Sequence, residues 1–86
     1  MSHFKQLELM FSELLAESMT VLMDSERAEI QHFIDVGEYG LALETAVDVY
    51  QEEGKAASAN VLMLMERLAD AMSIESTSLL SRLRKT

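Results

Sequence analysis

Along this chain apolar residues return at intervals of three and four, and no proline interrupts them. Such spacing lays an apolar stripe along one side of an α-helix, and it restricts the fold more than any other feature. A proline inside such a run would remove a backbone hydrogen bond and clash with the preceding turn. The breaks fall instead to two of the three glycines, Gly37 and Gly54, and to short polar stretches. Ala, Leu, Met and Glu, which are abundant, are strong helix formers.

Taken in order, the pattern predicts a long first helix over about Ser2 to Leu22, with Phe4, Leu7, Phe11, Leu14 and Leu15 as its stripe. Lys5, Glu8, Ser12, Glu13 and Glu17 are expected to face water, while Met10 and Met19 widen the apolar side. At 1.5 Å per residue this helix would run about 30 Å. Asp24 or Ser25 is expected to cap a second helix over about Glu26 to Val36, with Glu26 near its positive end. Gly37 stands where a helix commonly closes in a left-handed conformation.

A third helix follows over about Tyr39 to Glu53, closed by Gly54. Gly40 in its first turn is locally unfavourable by about 1 kcal/mol against alanine, so either another backbone crosses closely there or the glycine is simply tolerated. Lys55 to Asn60 connects to a fourth helix over about Ser58 to Met72, apolar at Val61, Leu64, Met65, Leu68 and Met72. Leu62 and Met63 lie off that face. A last short helix carries Leu79, Leu80 and Leu83, and its tail of Arg82, Arg84 and Lys85 suits a helix C-terminus.

Eighty-six residues allow one domain, residues 1–86, and no internal repeat divides it. A chain of this size buries roughly 60–65% of its unfolded surface, so the core is thin. Short connections imply antiparallel neighbours, and the expected fold is all-α, a compact bundle of four to five antiparallel helices. No stretch reaches the length of a membrane span, the first residues do not read as a signal peptide, and there is no cysteine. These features point to a cytoplasmic protein.

Charge narrows the possible partners. Fifteen acids against seven bases give a net charge of −8. Residues 1–60 hold twelve acids and three bases, a balance of −9, while residues 61–86 come to +1. Affinity for phosphate depends on clustered Lys and Arg, so nucleic acid and anionic membrane are poor ligands for the first two-thirds. The helix–corner–helix at Gly37 is not a DNA reader either, because its second helix carries Glu38, Glu44, Asp48, Glu52 and Glu53 and no base. A basic protein is the natural complement.

Catalytic groups are sparse. His3 and His32 have no second His or Cys at ligand spacing, no glycine-rich phosphate loop follows a strand, and the acids lie within helices rather than in a calcium-binding loop. A general acid also needs a desolvated cleft, which a small bundle seldom encloses. No enzyme activity, metal or cofactor is expected. The candidate surface is Asp35, Glu38, Glu44, Asp48 and Glu52, a ridge around the corner, with Tyr39 as its aromatic anchor. Glu44, Asp48 and Glu52 stand four apart, where like charges cost a helix roughly 0.2–0.5 kcal/mol per pair.

The segment Phe33-Ile34-Asp35-Val36-Gly37-Glu38-Tyr39-Gly40-Leu41-Ala42-Leu43-Glu44 resembles a stretch typical of MafI-like small bacterial immunity proteins. Members are encoded beside polymorphic or contact-dependent toxins. The resemblance implies a small acidic helical protein that binds a cognate toxin in the cytoplasm and blocks it, the toxin being frequently a nuclease with a basic substrate surface. It also implies that Gly37, Gly40, Leu41, Ala42 and Leu43 serve the fold. The chain would act as a monomer or homodimer. The alternative is a helical homodimeric adaptor that pairs through its methionine-rich fourth helix and has no toxin partner.

Overall fold

In the computed structural model, which describes residues 3–54 and 56–84, the chain folds as five α-helices with no strand among the described residues. They are α1 (His3–Glu17), α2 (Asp24–Asp35), α3 (Tyr39–Glu52), α4 (Ala59–Ala71) and α5 (Ser76–Arg84). Ser2, Lys55 and Lys85 lie outside the described residues, as do the side chains of Arg82 and Arg84, and with them the expected basic tail.

Helix α1 packs along α4 and α2 along α3, while α5 lies against both α3 and α4. The Cα envelope is 38 × 28 × 18 Å, and its short axis leaves room for two layers of helix at the usual spacing of about 8–10 Å. Between them, Leu7, Phe11 and Leu14 of α1 meet Ile30 of α2, Leu43 and Val47 of α3, Met65 and Leu68 of α4 and Leu80 of α5 in one buried cluster. Truncating a buried ring such as Phe11 in a core like this costs about 3–5 kcal/mol.

The corner between α2 and α3 closes as its glycine requires. Gly37 has φ +78°, its N–H donates to the Ile34 carbonyl at 3.1 Å, and the Glu38 N–H donates to the Phe33 carbonyl at 2.8 Å. This pair of bonds satisfies the last carbonyls of α2 and turns the chain straight into α3. Helix α4 ends the same way without a glycine. Ser73 takes φ +60°, its N–H bonds the Asp70 carbonyl at 3.1 Å, and the Ile74 N–H bonds the Ala69 carbonyl at 2.8 Å. At the other end of α4 the Ser58 hydroxyl accepts the Val61 N–H at 3.1 Å.

Three expectations are corrected. Helix α1 stops at Glu17 rather than near Leu22, because Ser18 is drawn into the core and its carbonyl accepts from both Val21 (3.0 Å) and Leu22 (2.8 Å). The chain then turns, which leaves Met19 57% exposed and brings Leu22 into the core. The cap of α2 is Met23, with neither Asp24 nor Ser25 accepting the first free N–H groups; the Glu26 carboxylate reaches back to the Met23 N–H at 2.8 Å, and Asp24 holds Arg27 instead. Finally, Phe4 belongs to the apolar stripe by spacing but is 60% exposed.

Candidate functional site

Helix α3 has two sharply different sides. Ala42, Leu43, Ala46, Val47 and Tyr50 are buried against the other helices. The opposite side, where a 100° step per residue brings up Leu41, Glu44, Asp48 and Glu52, faces away from the core. Glu44 and Glu52 are exposed, Asp48 is half-buried, and Leu41 is 45% exposed at the head of the row. Helix α3 carries no Lys or Arg, so the row has no cation of its own helix beside it.

The remaining candidates are distributed around the corner. Asp35, at the end of α2, is exposed and accepts from the Gln31 side-chain nitrogen at 2.8 Å, one turn back. Glu38 is exposed and stands at the N-cap of α3, where its side chain makes no capping bond. Its carbonyl accepts the Ala42 N–H at 3.0 Å. Five carboxylates thus occupy exposed or half-buried positions from the end of α2 along the outer side of α3.

Tyr39 does not join them. As the first residue of α3 it is rotated toward the core side, and its ring meets α1. Phe4 stacks on it with centroids 5.6 Å apart and planes 23° apart, and Phe11 stacks at 6.3 Å and 22°. The Tyr39 hydroxyl donates to Glu8 Oε2 at 2.9 Å. This bond to a carboxylate, then partial burial, then the Glu8 charge, raise the Tyr39 phenol above its ordinary value of 10.0. Reasoning from the sequence missed Phe4 and Glu8 as companions of Tyr39. The signal was there in their spacing, because Phe4, Glu8 and Phe11 fall on one side of α1.

A groove of about 180 Å³ runs between α1 and α4, lined by Glu13, Glu17, Asn60, Met63, Leu64 and Arg67. Its lining sets two carboxylates, an amide and one guanidinium beside the apolar Met63 and Leu64. His32 is exposed beside Phe33, at 5.9 Å between ring centroids. Among the described residues, no three His, Asp or Glu side chains come together where a metal ion would be held. No described helix is long and apolar enough to cross a membrane.

Compared with protein-family models, curated proteins and solved structures, the chain matches none.

Proposed function

We propose that this chain is a bacterial immunity protein, a cytoplasmic binder and not a catalyst, which neutralises a cognate toxin domain by stoichiometric contact. The observation that carries the reading is the outward row Glu44, Asp48 and Glu52 on a helix without a base, continued by Glu38 and Asp35 around the corner. Three carboxylates at four-residue spacing disfavour the helix that holds them, by a few tenths of a kcal/mol per pair. A cationic surface relieves that repulsion on binding. The resemblance of residues 33–44 to MafI-like immunity proteins supports the same reading from a separate direction.

In this mechanism the carboxylates steer a basic, nuclease-type toxin domain toward α3, and then pair with the Lys and Arg that would otherwise bind its substrate. Leu41, exposed at the head of the row, supplies apolar area that charge pairs alone lack. Coexpression with the toxin encoded beside its gene is the test. Rescue of growth, together with an association rate that falls steeply as salt rises, is the expected result. Failure to rescue overturns the assignment, and a rate indifferent to salt removes the electrostatic mechanism.

One observation favours a second reading. Met63 is 47% exposed on α4 with Leu62 half-buried nearby, which is the surface a homodimeric adaptor would pair. Light scattering separates the two, because an adaptor of that kind is a tight dimer that Met63→Lys dissociates.

A further inference from the structure

We propose that Phe4, Glu8 and Tyr39 form a second contact point, which takes an arginine side chain of a cationic protein partner. Phe4 is the most unusual surface residue of α1. It is 60% exposed, yet one face of its ring is fixed by Tyr39 at 5.6 Å, so its conformation is set before anything binds. Phe11, fully buried, holds Tyr39 from further along the same helix. An aromatic side chain ordered in this way loses little entropy on contact.

Its chemistry selects the occupant. The exposed ring face attracts a cation through its quadrupole. Glu8, one turn further along α1, is exposed and uses Oε2 to accept from Tyr39 at 2.9 Å, which holds its carboxylate beside the aromatic pair. Lys5, the nearest base on α1, makes no ion pair with Glu8 among the described residues and is exposed. A guanidinium stacks flat on an aromatic face while its rigid fork of N–H groups points at a carboxylate beside it, whereas a compact ammonium covers less of the ring and holds no fixed donor geometry. The surrounding charge is of the right sign, with residues 1–60 at −9. The inference rests on the proposed function only for the source of the arginine, a basic protein.

The experiment uses the full chain and short peptides, so its outcome does not depend on rescue from a toxin. Blocked tri-arginine and tri-lysine peptides are titrated while resonances of the Phe4 and Tyr39 rings and the Glu8 carboxyl are followed by NMR. Saturable shifts at these three residues, stronger with arginine and absent at the buried Tyr50, are expected. Phe4→Leu should weaken arginine binding about two- to fivefold, the worth of an exposed cation–π contact. Glu8→Gln keeps an acceptor for Tyr39 but removes the charge, and should weaken it too. Shifts confined to Glu44, Asp48 and Glu52, equal binding of both peptides, or Phe4→Leu binding like the parent chain would each overturn the proposal while leaving the acidic row of α3 intact as an interface.

Discussion

The hydroxyls of Ser18 and Tyr50 meet at 2.7 Å inside the core, joining the end of α1 to α3 across thirty-two positions of sequence. Both residues are fully buried, at 0% and 1% exposure. Each hydroxyl satisfies the other, and removing one leaves the other in a dry site. Ser18→Ala strands a phenol and is expected to cost about 1–3 kcal/mol. Tyr50→Phe should cost less, because a serine hydroxyl can turn to a carbonyl of its own preceding turn. The double variant should lose clearly less than the two single losses added, since no orphan remains. Urea unfolding of the four proteins measures this, and strict additivity would show that the pair contributes nothing beyond its packing.

Tyr39 gives the fold a weak point in alkali. Its phenol ionises later in the folded chain than in the unfolded one, chiefly because Glu8 accepts a hydrogen bond from the protonated hydroxyl. A group whose folded pKa is raised contributes stability that is complete below the unfolded value and lost as pH climbs through the folded one. Stability should therefore decline above about pH 10, where unfolded tyrosine loses its proton. The Tyr39 ring carbons, followed by NMR against pH, are expected to titrate later than free tyrosine. In Glu8→Gln their midpoint should move back toward the ordinary value, and an unchanged midpoint would remove Glu8 as the cause.

Two glycines three residues apart should respond in opposite directions. Gly37 sits at φ +78°, where a Cβ costs about 1–2 kcal/mol, so Gly37→Ala is destabilising although nothing lies within 4 Å of the added carbon. Gly40 has no positive φ and nothing within 4 Å either. Among the described residues no backbone crosses it, which favours the reading that the glycine is simply tolerated. Gly40→Ala should stabilise the chain by up to about 1 kcal/mol. Ser73→Gly, at φ +60°, should be stabilising as well, by about 0.5–1 kcal/mol. Thermal unfolding of the three variants checks the signs.

These positions also mark where the sequence was readable. Gly37 and Gly54 announced the ends of α2 and α3, and Ser58 the start of α4, because each acts on backbone groups only a few residues away. The end of α1 had no such local signal. Ser18 leaves the helix for a partner on α3, and nothing in residues 15–22 indicates where that partner is. The left-handed turn at Ser73 was equally silent, since serine gives no hint of positive φ. For the candidate surface, four-residue spacing was enough to place Glu44, Asp48 and Glu52 on one side of α3. Tyr39 was misplaced with them because its neighbours, Phe4 and Glu8, are more than thirty residues distant in sequence.

The acidic row makes stability and binding pull against each other. Glu52→Lys replaces a repulsion from Asp48 by an attraction in the favoured order, acid before base, and puts a cation on the last residue of α3. It should raise stability by about 0.5–1 kcal/mol. Glu44→Lys also removes a like-charge pair, but with the base first and far from the helix end, so its gain should be smaller. Against a cationic toxin both changes place like charge at the contact and should slow association severalfold at low salt, with the difference fading as salt screens it. Paired measurements of unfolding midpoint and association rate read the two effects independently. If Glu52→Lys stabilised the chain and left association untouched at low salt, the row would be only a costly solvated face, and the interface would have to lie elsewhere.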